Sequence, residues 1–142
     1  MTNRFTQNSM QKAVPSVWVV DDDEDDQLFI RTAFASISPP ISVLTLNDGE
    51  ELLPKLAEYD ELPQLILLDI NMPYSNGFDT LKQLRTTSKY ATLPVVMLTT
   101  SSDESDRQHS LSLGADQFIT KPANFNQLIA LTQRLARQLQ VD

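Results

Sequence analysis

Cysteine is absent from this 142-residue chain, histidine occurs once, at position 109, and glycine only three times. Without cysteine there can be no disulfide, no thiol nucleophile and no thiolate metal site. A single histidine, His109, cannot build a multi-histidine centre, so zinc is a poor fit. So few glycines leave no Gly-rich phosphate loop after the first apolar run, which argues against a dinucleotide site. Long apolar runs are missing as well. None approaches the length needed to cross a bilayer, and nothing resembles a signal peptide, so a cytoplasmic protein is expected. Basic residues are the minority, 11 against 19 acidic, for a formal charge of -8. That balance argues against nonspecific binding to nucleic acid or to an anionic membrane. What remains, 41% apolar and 21% charged residues, suits one globular domain with a real core.

Five short apolar runs alternate with segments of helical pattern. Residues 1–15 are polar and weakly patterned and read as a loose N-terminal arm, with the domain proper spanning 16–142. Val17 to Val20 reads as the first strand. Six consecutive acids, Asp21 to Asp26, lead into a helix with Phe29, Ile30, Ala33, Phe34 and Ile37 at helical spacing. The later acids fall in its first turn, where the macrodipole favours them. Ile41 to Leu46 predicts a second strand, and Asp48 with Glu51 a capping box for a helix through about Tyr59. Pro54 conflicts with an uninterrupted helix and predicts a late start or a kink. Leu65 to Leu68, between Pro63 and Pro73, reads as a buried strand. Asn76 can cap the next helix, with Phe78, Leu81 and Leu84 on one face. Leu93 to Leu98 predicts a fourth strand, Asp103 to Leu113 a weakly amphipathic helix ending at Gly114, and Gln117 to Ile119 a fifth strand. Asn124, with Gln127 three residues on, caps a last helix that turns Phe125, Leu128, Leu131, Leu135 and Leu139 inward. The alternation predicts an α/β fold: a five-stranded parallel sheet covered on both faces.

Parallel strands share one direction, so residues that follow them gather at one sheet edge, where open α/β sheets bind ligands. Asp21, Asp22, Asp69, Thr99 and Lys121 all follow strands in this way. Three carboxylates in close quarters must take up protons or bind a cation. All-oxygen ligation by Asp21, Asp22 and Asp69, with the Asn71 carbonyl as a further donor, favours a hard ion such as Mg²⁺. A carboxylate beside such an ion can attack phosphorus and become an aspartyl phosphate. Asp69 is the expected nucleophile, because its strand is the one expected at the centre of the sheet. Lys121 supplies positive charge to the phosphoryl oxygens, and Thr99 a hydroxyl. Each residue also has a plain structural reading. Asp22 can be a cap, Lys121 a solvated lysine, Thr99 a β-former ending its strand and Phe118 a core residue. The joint recurrence at matching strand ends favours the phosphate site.

The ordered set Val20-Asp21-Asp22, Leu68-Asp69-Ile70-Asn71-Met72-Pro73, Gly77, Thr99-Thr100, Gly114-Ala115 and Lys121-Pro122 resembles a response-regulator receiver domain. The resemblance covers roughly residues 16 to 140. It implies a doubly wound, flavodoxin-like sheet of order 2-1-3-4-5, and a phosphoacceptor rather than an enzyme, with slow self-dephosphorylation. A sensor histidine kinase or a histidine phosphotransfer protein would phosphorylate Asp69. Asp22, Asp69 and the Asn71 carbonyl would hold Mg²⁺, with Asp21 in the acidic pocket, while Thr99 and Lys121 would contact the phosphoryl group. Thr99 and the aromatic Phe118 would form a switch that alters the surface of the fourth helix, fifth strand and fifth helix, a surface that would also serve a homodimer. The Lys121–Pro122 bond is expected to be cis. The chain ends just after the last helix, which suggests a single-domain regulator acting through protein contacts. The Asn-Met-Pro form and the acidic stretch are more like the regulators paired with phytochrome-type or hybrid kinases.

Two alternatives belong to other classes. A Mg²⁺-dependent phosphohydrolase of the haloacid-dehalogenase type needs a second acid two residues after its nucleophile, where this chain has Asn71. A receiver-like binding module that signals without phosphorylation would not need the full set of acids, Thr99 and Lys121.

Overall fold

The computed structural model describes residues 13–139. Five strands, β1 (Val17–Val20), β2 (Val43–Leu46), β3 (Leu65–Leu68), β4 (Val95–Thr99) and β5 (Gln117–Thr120), form one parallel sheet of order β2-β1-β3-β4-β5. The helices are α1 (Glu24–Ala35), α2 (Leu52–Leu56), α3 (Gly77–Thr86), α4 (Glu104–Ser112) and α5 (Phe125–Leu139). The expected class and strand order are those of the molecule. The first part of the proposed 1–15 arm lies outside the described residues, as do the last three positions.

Strand alternation divides the core into two layers. Val17, Val19, Leu65, Leu67, Val96 and Leu98 meet Ile30, Ala33 and Phe34 of α1 and Leu128, Leu131 and Leu135 of α5. Trp18, Val20, Ile66, Leu68, Val95 and Met97 point the other way, onto Leu52 and Leu56 of α2 and Leu81 and Leu84 of α3. All four residues of β1 and of β3 are buried, as strands covered on both faces must be. Each such side chain contributes about 1.5–3 kcal/mol of hydrophobic stabilisation. The sheet edge is therefore held by a rigid, two-sided core.

The ends of elements follow their capping chemistry. Asp23 caps α1, its carboxylate accepting the Asp26 N–H at 3.0 Å. Asn76 caps α3 through the Asp79 N–H, and Asn124 caps α5 through the Gln127 N–H, both at 2.9 Å. Pro54 has its predicted effect. A 3₁₀ turn at Gly49–Glu51 comes first, and α2 starts late enough to put Pro54 in its first turn, where the missing N–H has no helical partner to lose. The helix ends at Leu56, short of the expected Tyr59. Two aromatic residues depart from expectation. Phe29 and Phe125, assigned to buried faces, are 47% and 40% exposed and meet edge to face at 6.0 Å across the α1–α5 seam. Ile30 and Leu128, expected on the same two stripes, are buried and pack on the sheet. The Lys121–Pro122 bond is not cis. The cis X-Pro bond among the described residues is Ser38–Pro39. Trans is the intrinsically favoured isomer of an X-Pro bond, by about 0.5–1 kcal/mol, and it suffices here to bring Lys121 into the acidic cleft.

Candidate functional site

The sheet register places the acids. Val20 pairs with Leu68 across β1 and β3, so the two residues that follow, Asp21 and Asp69, emerge side by side. The Asp21 N–H donates to the Leu46 carbonyl and the Asp69 N–H to the Val20 carbonyl, both at 3.0 Å, extending the ladder up to the site. Gln27, buried on α1, braces this edge. Its side-chain amide donates to the Asp21 carbonyl and to Asn47 Oδ1 at 2.8 Å, tying the ends of β1 and β2 together. On the far side the Lys121 N–H donates to the Thr99 carbonyl at 2.7 Å, which carries β5 to the same edge.

Asp21, Asp22 and Asp69 each offer a carboxylate oxygen, and these atoms lie within 4.8 Å of one another. Asp21 and Asp69 are buried while Asp22 is exposed. Such a set, all oxygen and partly open to solvent, fits a hard divalent cation completed by water. Asp69 Oδ1 accepts its own neighbour's N–H, from Ile70, at 2.8 Å. The Lys121 ammonium lies 2.8 Å from Asp21, 2.6 Å from Asp26 and 3.4 Å from Asp69. Burial pushes the Asp21 carboxyl up to about 6, against the opposing pull of Lys121 and of the Asp23 N–H. Burial also works against a charged Lys121, yet its hydrogen bonds to Asp21 and Asp26 hold it above the ordinary lysine value. The site therefore carries a permanent cation beside a surplus of carboxylates.

An open cleft of about 620 Å³ joins Asp21, Asp22, Asp69, Asn71 and Lys121. Five of the sequence-predicted residues thus come together. Thr99 does not line this cleft: it is fully buried at the end of β4, its hydroxyl accepting the Ser101 N–H at 3.4 Å, and its neighbour Thr100 faces the cleft instead. Phe118 is half-buried on β5 and packs against the α3 side of the core. Sequence reasoning missed Asp26 as the closest carboxylate to Lys121. The run of six acids from Asp21 to Asp26 carries no signal that singles it out.

Two features fix the loop after Asp69. Gly77 donates to the Ile70 carbonyl at 2.7 Å, and a Cβ at Gly77 would sit 2.2 Å from the Asp69 carbonyl oxygen. Only glycine permits that approach. Buried Asp48, after β2, accepts the N–H groups of Glu50 at 3.0 Å and Tyr74 at 3.1 Å and the Ser75 hydroxyl at 3.0 Å. Burial works against its charge, but these donors prevail and hold its carboxyl below the usual range. No described helix is long and apolar enough to cross a membrane.

Comparison with known proteins places this geometry. The model of the response regulator receiver domain matches residues 17–133. The transcriptional regulatory protein CpxR of Klebsiella pneumoniae is 38% identical over 122 residues, covering 86% of this chain and 49% of CpxR. The chain thus spans about half the length of the curated relatives it matches. Among solved structures, the phosphorylated cyanobacterial phytochrome response regulator RcpA superposes with a TM-score of 0.82 at 31% identity, over 91% of this chain and 96% of RcpA. The Mn²⁺-bound form of response regulator Rcp1 gives 0.79 at 25% identity, over 91% of this chain and 97% of Rcp1. With the sheet order, the three aspartates and the family match in agreement, the chain belongs to the response-regulator receiver-domain family.

Proposed function

We propose that Asp69 is the phosphoacceptor and takes a phosphoryl group from a phosphohistidine on a sensor histidine kinase or phosphotransfer protein. The observation that carries this reading is the placing of Asp69: at the end of the central strand, with two more carboxylates within 4.8 Å and the Lys121 ammonium at 3.4 Å. In the reaction an Asp69 carboxylate oxygen forms a bond to phosphorus as the phosphorus–nitrogen bond of the donor breaks. The electron pair of that bond returns to the imidazole, leaving an aspartyl phosphate. Asp21, Asp22, Asp69 and the Asn71 carbonyl are the residues to hold Mg²⁺, which supplies positive charge to the phosphoryl oxygens when bound. Support for a divalent ion comes from the donor chemistry and from the Mn²⁺ held by Rcp1.

Lys121 stays charged and lies beside Asp69, so its ammonium is in place to donate N–H groups to the transferring oxygens. Thr99 sits one residue from the cleft and reaches a phosphoryl oxygen only if the β4–α4 turn shifts. That requirement supports Thr99 as one half of a switch whose other half is the aromatic Phe118, with α4, β5 and α5 as the responding surface. Signalling then proceeds through protein contacts on that surface, in the cytoplasm, including a homodimer; solution mass with and without the phosphoryl label tests the dimer. The resemblance to RcpA supports a place among regulators paired with phytochrome-type kinases.

Intact-mass analysis after incubation with Mg²⁺ and a small phosphodonor tests the assignment. One added phosphoryl group is expected on the wild type and none on Asp69→Asn. Equal labelling of both would overturn it.

A further inference from the structure

The closest carboxylate to the Lys121 ammonium is not a member of the metal-binding cluster. It is Asp26, at 2.6 Å, against 2.8 Å for Asp21 and 3.4 Å for Asp69. Asp26 sits in the first turn of α1, where its N–H is held by the Asp23 cap. It is a half-buried residue on the wall between the acidic cleft and a second, mainly apolar cavity of about 300 Å³ lined by Phe29, Pro122 and Phe125. We propose that Asp26 is a positioning residue for phosphoryl capture: it fixes the direction of the Lys121 ammonium when the other two carboxylates are engaged elsewhere. This inference rests on Asp69 as phosphoacceptor and Lys121 as its phosphoryl contact.

An ammonium has three N–H groups, and here three carboxylates face them. With a divalent ion bound, Asp21 and Asp69 would turn oxygens toward it and the ammonium would be repelled. Transfer to Asp69 then converts the third partner into an acyl phosphate. Asp26 lies outside the cluster of three aspartates and is the one carboxylate facing Lys121 that neither event occupies. A long, flexible lysine stem without that contact would sample orientations away from the phosphoryl oxygens. With it, one N–H stays on Asp26 and another remains aimed at the reacting group. Asp26 touches neither metal nor phosphorus in this scheme and acts only through Lys121.

The sign of the effect separates this role from a field effect. Removing a negative charge beside the cleft would, by electrostatics alone, speed labelling by an anionic phosphodonor. A positioning role predicts the reverse. The rate of labelling by Mg²⁺ and a small phosphodonor is followed by intact mass for wild type, Asp26→Asn, Asp26→Glu, Lys121→Ala and the double variant Asp26→Asn/Lys121→Ala. Mg²⁺ affinity is measured in parallel by calorimetry and folding by thermal melting. Labelling of Asp26→Asn is expected to slow at least threefold at saturating Mg²⁺, with partial recovery in Asp26→Glu and no further slowing in the double variant relative to Lys121→Ala. Unchanged or faster labelling of Asp26→Asn would overturn the proposal, as would an equal slowing in the Lys121→Ala background. If Asp26→Asn fails to fold, the decision passes to Asp26→Glu. That variant retains the acid but shifts its reach, and labelling equal to wild type with native melting would overturn the proposal, whereas slower labelling would support it. Absence of any label on wild type would instead defeat the reading of Asp69.

Discussion

Asp21 shows how the site is poised at the level of one side chain. Its carboxyl is pushed up to about 6 by burial, so the fold keeps its proton to a higher pH than an exposed aspartate would. A raised carboxyl contributes stability that is full below the ordinary value of 3.8 and is lost as pH rises through about 6. Above that range the charged group costs on the order of 2–3 kcal/mol, the equivalent of its displacement. Asp21→Asn is therefore expected to melt at a higher temperature than the wild type at pH 8 without Mg²⁺. The difference should vanish near pH 4, and added Mg²⁺ should stabilise the variant less than the wild type. Melting curves at several pH values with and without the ion read all three effects. A variant less stable than wild type at pH 8 would place the favourable Lys121 pairing above the cost of burial. The identities of Asp21, Asp22, Asp69 and Lys121 were legible in the chain because each lies within two residues of the end of an apolar run. Asp26 was not, because within six consecutive acids nothing in composition tells a solvated carboxylate from one folded back onto a lysine.

Among the elements, the loops that carry the site are tied together by hydrogen bonds above the apolar core. Asp48, at the end of β2, gathers three donors from two different loops and so ties the 3₁₀ turn to the stretch that follows Asp69. Asp48→Ala removes the partner of three part-buried donors and is expected to cost about 1–2 kcal/mol in denaturant unfolding. Because its carboxyl is held low, the wild-type contribution is present at neutral pH and fades as pH falls below the carboxylate's ordinary value. Unfolding midpoints compared at pH 7 and pH 3 should show the gap between wild type and variant closing. A constant gap would assign the loss to packing. The sequence marked Asp48 only as a cap, since its partners Tyr74 and Ser75 are distant in the chain and paired by topology. Strands and caps were otherwise readable from apolar runs and turn residues. The faces of α1 and α5 were less so, because Phe29 and Phe125 fit an inward stripe yet pack on one another at the rim. The poor apolar stripe of α4 is real: only Ser110 is buried on it, a loosely held element beside the β4–α4 turn. That is the element the proposed switch must move.

At the scale of the whole molecule, a two-layer core holds five strand ends in register, and the chemistry lies where the strands stop. The sheet order could not be read from periodicity, which fixes strands but not their neighbours. It followed from the resemblance, and the pairing of β1 with both β2 and β3 bears it out. The isomer of Lys121–Pro122 was the one backbone expectation carried over from the resemblance that failed. The surplus of acid, -8 over the chain, is drawn to this same edge by Asp21 to Asp26 and leaves Lys121 as the cation lining the cleft. On the proposed reading this edge serves to put a phosphoryl group on one carboxylate, Asp69. Borohydride reduces an aspartyl phosphate to homoserine, so reduction after labelling with Mg²⁺ and a small phosphodonor, followed by peptide sequencing, reads the position directly. Homoserine at position 69 alone is the predicted result. Homoserine at position 21, 22 or 26, or at none, would contradict the account.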